Sequence, residues 1–197
     1  MSDSDDQLLR PVIEEDLHGL ALVRRVASAV GEPRRPMPIA RGEEYITEHR
    51  LLRWRREGVF VIDTPRTQGA VGFLGGKSIE CQHVRIEAQT PFCQVVLTSL
   101  EDRPLSRSRR LLLTAVARAE NTGQRYSPRR DSLLDEGRPP ILMEPVRAKV
   151  TLRGIRVTRV EALSHQGRRT GKTVPVRHGQ FQVGNEEAFW YEIEARP

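Results

Sequence analysis

The chain has 197 residues, of which 38% are hydrophobic, and a formal net charge of +6. This length allows one well-buried core with an appendage and excludes an additional (β/α)8 barrel, which needs about 250 residues. The hydrophobic residues form short segments separated by Gly and Pro, a pattern that argues against disorder of the whole chain.

The basic residues, 32 in all, are arginines except for Lys77, Lys149 and Lys172. An arginine-rich surface suits an anionic partner, because the planar guanidinium fork matches phosphate, sulfate or carboxylate. The arginines are spread along the whole chain, however, and often lie near Glu or Asp, as on an ordinary solvated surface. We favour the solvated surface and keep a polyanion site, for nucleic acid or a sulfated glycan, as the alternative.

Residues 1–42 are predicted to form an appendage in three parts. Residues 1–10 are acidic and polar, as expected of a tail. In residues 14–30, apolar side chains recur at helical spacing behind an acidic start, which predicts one amphipathic helix that either packs on its own domain or docks a partner. Residues 31–42 contain three prolines and are predicted to be a linker.

Short alternating segments dominate residues 43–197 and predict a mainly β domain. The predicted strands are 44–47, 51–55, 59–62, 70–74, 78–87, 92–100, 109–119, 146–152, 155–163, 173–177, 180–183 and 188–194. This number and spacing predict a two-sheet antiparallel β-sandwich, jelly-roll-like, with one N-terminal helix. Segment 109–119 is expected to be a central strand covered on both faces, and residues 121–140 a long polar loop.

The segment VFVIDTPRTQGAVGFLGG, residues 59–76, predicts a strand, a polar corner and a second strand. Pro65 removes a backbone donor and favours extended geometry at Thr64, so the chain is expected to leave a sheet and re-enter one here. Arg66 and Gln68 are predicted to face outward on this corner, where they could contact a ligand.

Three blocks carry a resemblance to a known family: FVIDTPRTQGAVGFLGG, LTSLEDRPLSRSRRLLLTAVARAENTG and ILMEPVRAKVTLRG, in this order. They resemble the β-sandwich domain that follows the catalytic barrel in bacterial glycoside-hydrolase-like proteins. The resemblance covers roughly residues 45–197 and implies a role beside such a barrel. The barrel's catalytic carboxylates have no counterpart here, so none is carried over.

The sequence places no catalytic residue. Glycoside hydrolysis needs two carboxylates across the scissile bond. The acidic pairs instead fall in predicted turns or in the long loop: Glu101 with Asp102, Asp131 with Asp135, and Glu186 with Glu187. The segment GFLGGKS is one residue too short for a P-loop and precedes a strand rather than a helix. We expect no activity from the chain alone; if it is part of an enzyme, that enzyme is expected to be a glycoside hydrolase.

The histidines and cysteines predict neither a metal site nor a cofactor. Cys81 and His83 lie two residues apart, but no third ligand has suitable spacing. If segments 77–87 and 92–100 pair as a hairpin, Cys81 and Cys93 do not meet, and two free thiols suit a reducing compartment. The start of the chain lacks the pattern of a signal peptide, and no apolar stretch is long enough to cross a membrane. The expected location is cytoplasmic, without a membrane partner.

Two kinds of side chain are candidates for ligand contact. Tryptophan rings can stack on sugars, and Trp54 and Trp190 are predicted on strands, with a core role as the alternative for each. Glu120 and Asn121 end a buried strand and either bind a ligand or tie down the long loop. The complete set of candidate contacts is Trp54, Arg66, Gln68, Glu120, Asn121 and Trp190.

These observations predict a noncatalytic β-sandwich accessory domain associated with glycoside-hydrolase-like proteins, with a structural or carbohydrate-contacting role. Its expected partners are a carbohydrate or a catalytic barrel. An arginine-rich polyanion-binding module is the alternative, without specific nucleic-acid recognition. A small hydrolase, for which the long loop is the one support, is the third reading.

Overall fold

A computed structural model describes residues 44–47 and 49–196, and strands are the dominant secondary structure of the described chain. Its one described helical element is the 3-10 turn Leu105–Arg107. The predicted mainly β class is therefore confirmed. The predicted tail, the helix at residues 14–30 and the linker at residues 31–42 lie outside the described residues. No helix in the described part is long and apolar enough to cross a bilayer.

The described strands are numbered in chain order. They are β1 (Glu44–Ile46), β2 (Leu52–Arg55), β3 (Val59–Asp63), β4 (Thr67–Gly72), β5 (Ser78–Glu80), β6 (Val84–Ala88), β7 (Cys93–Ser99), β8 (Arg110–Val116), β9 (Ala119–Thr122), β10 (Arg125–Tyr126), β11 (Leu133–Asp135), β12 (Arg138–Met143), β13 (Ala148–Leu152), β14 (Arg156–Leu163), β15 (Arg169–Thr173), β16 (Gln180–Val183) and β17 (Trp190–Arg196).

Two antiparallel sheets share one apolar core. The large sheet has nine strands in the order β1-β2-β3-β4-β7-β8-β17-β14-β15, and the small sheet has the order β16-β13-β6-β5. Buried side chains from both sheets form a single cluster that includes Val61, Leu97, Leu113 and Tyr191 of the large sheet with Ile86, Val150 and Phe181 of the small sheet. The face of the large sheet that meets this cluster is called the core face below, and the opposite face is called the outer face.

Strand β8 lies in the middle of the large sheet, between β7 and β17. Its core-face residues Leu111, Leu113 and Ala115 have no exposed surface, whereas Leu112 and Val116 on the outer face are half-buried. The prediction of a central strand is confirmed, and so is the cover on the core face; the cover on the outer face stays a prediction, since the described residues there are only half-buried. The apolar outer-face positions are the reason for predicting burial on both sides.

The corner after β3 is a tight hairpin turn, so the chain re-enters the same sheet. Thr64 N donates to Thr67 O at 2.9 Å, and Thr67 N donates to Thr64 Oγ1 at 3.0 Å. Strand β4 therefore starts at Thr67, three residues earlier than predicted. Gly69 is required within β4, because a Cβ there would lie 2.3 Å from Val95 O on the neighbouring strand.

The predicted long strand at residues 78–87 is wrong, because β5 and β6 are two strands of a hairpin. The buried residues Ile79 and Cys81 occupy odd positions, whereas Val84 and Ile86 occupy even ones. A shift in the period of two cannot continue along one strand, so the chain turns at residues 81–83. Strand β6 also pairs with β13 and not with β7, so the predicted hairpin between segments 77–87 and 92–100 is wrong as well.

About half of the predicted loop at residues 121–140 lies in paired strands. Strands β9 and β12 form one two-stranded sheet, and β10 and β11 form another. This region, residues 119–143, is called the arm below. The strand predicted at 173–177 lies four residues earlier in the structure, as β15. A tight turn at residues 164–168 allows β15 to pair with β14 from Arg169 onward.

Candidate functional site

A polar cleft lies where β14 ends and β17 begins. These strands are antiparallel neighbours, so the turn after β14 and the turn before β17 meet at the same end of the large sheet. The cleft has a volume of about 340 Å³. Its polar lining comes from these two turns and from β15: Ser164, His165, Gln166, Thr170, Lys172, Glu186 and Glu187.

A buried tyrosine anchors the turn that carries the two carboxylates. Tyr191 has no exposed surface, and its hydroxyl accepts a hydrogen bond from Gly184 N at 3.1 Å and lies 3.4 Å from Glu186 Oε2. Burial raises the pKa of Tyr191 to about 12, so the phenol keeps its proton at neutral pH. Glu187 has a φ of 53°, in the left-handed region that non-glycine residues seldom adopt. The turn thus has a defined geometry at the edge of the cleft.

An aromatic contact positions the imidazole of His165. Its ring centroid lies 4.9 Å from that of Phe189, with 30° between the planes. Phe189 is buried, while His165 is exposed, so a core residue supports a ring at the surface. The cleft therefore combines carboxylate acceptors, the ammonium and amide donors of Lys172 and Gln166, and one flat ring.

Trp190 lies beside the cleft, and Trp54 does not. The register of β14 and β17, which pairs Ala162 with Tyr191, continues to place Leu163 next to Trp190. Leu163 lines the cleft; the half-buried Trp190 is its strand neighbour and is not itself a lining residue. Trp54 also lies on the outer face, but on β2, five strand spacings or about 24 Å away. The two tryptophans therefore belong to one face but not to one site.

The corner residues Arg66 and Gln68 have structural partners. Arg66 pairs with Asp102 and donates to Glu101 O at 3.0 Å, which ties the corner to the β7–β8 turn. The prediction that Gln68 faces outward is wrong, because its side chain has no exposed surface. Its Oε1 accepts a hydrogen bond from His83 N at 2.7 Å, on the core side of β4. Burial removes Gln68 from the candidate ligand contacts.

Glu120 and Asn121 make contacts within the arm. Glu120 pairs with Arg130, whose guanidinium also lies 4.4 Å from the ring centroid of Tyr126. Asn121 Nδ2 donates to Glu136 O at 2.9 Å. Of the two roles considered for these residues, these contacts favour tying down the segment. Several large apolar side chains of the arm are exposed: Leu133, Leu134, Ile141, Leu142 and Met143.

Two carboxylates face each other on the outer face, but arginines neutralise both. Glu161 on β14 is the cross-strand partner of Glu192 on β17. Glu192 accepts from Arg110 and from Arg169, each at 2.9 Å, and Glu161 lies 2.8 Å from Arg159. The hydrogen bond from Arg169 lowers the pKa of Glu192, whereas a general acid needs a raised pKa. The geometry is that of an ion-pair network rather than of an acid–base pair.

Many of the arginines are engaged in ion pairs across the described surface. Besides those already named, pairs join Arg55 to Glu44, Arg85 to Glu80, Arg118 to Glu144, Arg125 to Asp135 and Arg153 to Glu80. They involve the large sheet, the small sheet and the arm. The arrangement is that of a surface with mixed charges rather than of one concentrated basic groove.

The thiols and the acidic residues do not assemble into a metal centre in the described part of the chain, where no three His, Cys, Asp or Glu side chains lie close enough to hold an ion. Cys81 and Cys93 are free and buried. Burial raises the pKa of each thiol to about 11, so both are protonated and unreactive at neutral pH.

The cleft residues were not predicted as a site from the sequence. Residues His165, Lys172 and Glu186 belong to segments read only as turns or as strand ends. The one available signal was the pairing of two predicted strands, 155–163 and 188–194. If these strands are antiparallel neighbours, the polar turn after the first and the polar turn before the second lie at the same end of the sheet. The pattern of a single sequence does not reveal which strands are neighbours, so the residues of the cleft could not be predicted to lie together.

The chain was compared with known proteins and structures. No protein-family model matches it, and neither a curated protein nor a solved structure shows significant similarity to it.

Proposed function

We propose that this chain is a noncatalytic β-sandwich accessory module, with its large and small sheets stacked in a jelly-roll-like manner, and that it contacts carbohydrate through the polar cleft beside Trp190. The cleft is the observation that carries the proposal. Sugar hydroxyls donate to carboxylates such as Glu186 and accept from Lys172 and Gln166. His165 and Trp190 offer flat faces for the sugar ring. A volume of about 340 Å³ suits a small ligand or one end of a longer glycan.

The noncatalytic part of the proposal is supported by the state of the carboxylates. The cross-strand pair Glu161 and Glu192 is neutralised by arginines. Glu186 and Glu187 are adjacent in one turn, whereas glycosidases place two carboxylates on opposite sides of the bond to be cleaved. The cleft is therefore suited to binding a sugar and not to cleaving it.

A catalytic barrel is the protein partner proposed for the arm. The three blocks that resemble the family correspond to β3–β4, the β7–β9 region and β12–β13, so one of them ends and another begins in the arm. Exposed apolar side chains such as Leu134, Ile141 and Leu142 suit contact with a protein surface. Two free, buried thiols fit a reducing compartment, which supports the proposed cytoplasmic location.

The cleft can be tested by titrating the full chain with a panel of neutral and acidic oligosaccharides in a calorimeter. We expect His165→Ala and Trp190→Ala to abolish binding of the best ligand. Trp54→Ala is the matched control, because it removes the same side chain from the distant end of the outer face and should bind normally. Melting temperatures of all three variants exclude unfolding as the cause.

Two outcomes would reject the proposal. Binding that survives His165→Ala and Trp190→Ala would place the sugar elsewhere, and turnover of chromogenic glycosides by the full chain would make it an enzyme. Heparin serves as the probe for the polyanion alternative. Binding by scattered arginines should be weak and fall steeply with salt, so tight heparin binding that persists at high salt would favour the alternative instead.

A further inference from the structure

The outer face of the large sheet carries a second apolar surface. On β2 and β3 the outer-face side chains are apolar, and on β4, β7 and β8 apolar side chains share the outer face with polar ones: Thr67, Gln94, Thr98, Arg110 and Thr114. We call the apolar set the outer strip: Leu52, Trp54, Phe60, Ile62, Val71, Val96, Leu112 and Val116. Val96 is 8% exposed and the others are half-buried. An antiparallel sheet with one solvated face normally carries polar residues there, so the outer strip has the composition of a covered surface.

Cross-strand register makes the outer strip continuous from β2 to β4. Trp54 is opposite Phe60, and Phe60 is opposite Val71. In the next row Leu52 is opposite Ile62, and Gly69 then separates Ile62 from Val96. The rings of Trp54 and Phe60 lie 6.3 Å apart between centroids. The apolar side chains are therefore direct neighbours from β2 to β4, and on β7 and β8 they are interspersed with polar residues such as Gln94 and Thr114.

The described elements outside the large sheet do not account for a cover. The small sheet contributes to the core on the opposite face. In the arm, every residue of β11 and β12 is exposed, so these strands are not packed on another surface. The cover must come from residues outside the described range, from a second copy or from another protein.

Residues 14–30 of the same chain have suitable length and pattern. As a helix they would be about 25 Å long, and the outer strip from β2 to β8 spans four strand spacings, or about 19 Å. At 100° per residue, the apolar side of such a helix is an arc of about 120°. It contains Leu20, Val23, Val26, Ala27 and Val30, with Asp16 on it in the first turn and Arg24 at its border. Arg25 falls on the opposite side, together with Leu22. One apolar side of the segment thus matches one apolar surface of the sheet.

Chain connectivity brings this segment to the outer strip. Residues 31–42 can span up to about 40 Å when extended, and the described chain resumes at β1, directly beside β2 and Trp54. A tethered segment is present at a high effective concentration, which a separate partner lacks. We propose that residues 14–30 pack as an amphipathic helix across the outer strip, so that the N-terminal segment is an integral third layer of the domain. The proposal is independent of carbohydrate binding at the cleft.

Thiol reactivity in the full chain tests the docking. Cys81 and Cys93 are buried, so a single introduced cysteine can be labelled selectively. We expect Ala27→Cys, on the apolar side, to react with a maleimide at least about tenfold more slowly than Arg25→Cys, on the polar side, because a docked segment must open before a buried thiol reacts. Equal rates at the two positions would overturn the proposal.

Fluorescence provides a second readout from the sheet side. In a Trp190→Phe background the remaining tryptophan, Trp54, lies in the outer strip. Replacing Leu20 and Val23 by Glu should raise acrylamide quenching of Trp54 and accelerate labelling of Ala27→Cys. Arg25→Glu changes the net charge by the same −2 from the polar side and should do neither.

Sedimentation velocity distinguishes docking of the chain's own segment from coverage of the outer strip by a second copy. Protection of Ala27→Cys in a monomer, at all protein concentrations, supports the proposal. Protection that appears only with dimer formation would assign the outer strip to a second copy and contradict it. Unchanged quenching of Trp54 in the Leu20 and Val23 double variant would likewise show that the segment lies elsewhere.

Discussion

Gln68 links the two sheets through one buried amide. The residue lies on β4 of the large sheet, and its Oε1 accepts the backbone N–H of His83, in the turn between β5 and β6 of the small sheet, at 2.7 Å. Its Nε2 has no hydrogen-bond partner among the described residues. The hydrogen bond to Oε1 thus offsets only part of the cost of burying the amide. Because that bond joins the two sheets, we assign Gln68 a structural role.

Replacing Gln68 by Ala should destabilise the protein by about 1 to 3 kcal/mol, because the partly buried His83 N–H then lacks its acceptor and the buried Gln68 side chain leaves a void. Arg66→Ala is the control from the same corner. Its side chain is 52% exposed and pairs with Asp102, which is 95% exposed, so removing it should change the stability by no more than about 0.5 kcal/mol. Urea unfolding of both variants measures the difference, and equal effects would refute the assigned role.

Glu192 makes the stability of the fold depend on pH. The hydrogen bond from Arg169 holds its pKa below the ordinary value of 4.5. A lowered folded-state pKa means that the ionised form is favoured by folding, so this contribution is present above pH 4.5 and is lost as the pH falls through the folded-state pKa. Glu192→Gln should therefore be less stable than the wild type at pH 7, and the gap should close in acid. A gap that is constant from pH 7 to pH 3 in urea unfolding would contradict this account.

At the scale of elements, the arm and the central strands of the large sheet have opposite properties. Leu113 on β8 has no exposed surface, whereas Leu142 on β12 is 56% exposed. Burial, rather than residue type, therefore decides what each leucine contributes. The arm is held by polar contacts such as those of Glu120 and Asn121, and its apolar side chains remain at the surface.

The same substitution should have different effects in the two elements. Leu113→Ala leaves a cavity in the core and should cost about 2 to 5 kcal/mol. Leu142→Ala should change the stability by less than about 0.5 kcal/mol, because little buried area is lost. Chemical unfolding of both variants provides the comparison. A large loss for Leu142→Ala would mean that the arm packs on another part of the protein.

Sequence patterns predicted many strands but not their neighbours. Short apolar, β-prone runs predicted β3, β7 and β8 closely, because such runs between turn residues are typical of buried strands. The turn between β5 and β6 was also visible in the shift from Cys81 to Val84, but the continuous β-prone composition concealed it. Gln68 was misassigned because an amide in a polar corner is usually exposed, and its buried acceptor role depends on the small sheet, which lies far away in sequence.

In the molecule as a whole, the cleft, the outer strip and the arm lie on different parts of the described chain. The cleft is formed by chain turns around residues 164–168 and 184–188, which become neighbours only through the pairing of β14 with β17. The outer strip lies on the strands from β2 to β8, and the arm leaves the sheet after β8. Three surfaces with different chemistry are therefore separable by local measurements.

The most direct measurement is a heteronuclear NMR titration of the isotope-labelled full chain with the oligosaccharide that binds best. The account predicts that amide shifts are confined to residues 164–166, Lys172 and 186–188, together with the indole of Trp190, and that the indole of Trp54 stays unchanged. Shifts that instead follow the arginines over the whole surface, or the appearance of hydrolysed sugar in the same sample, would contradict it.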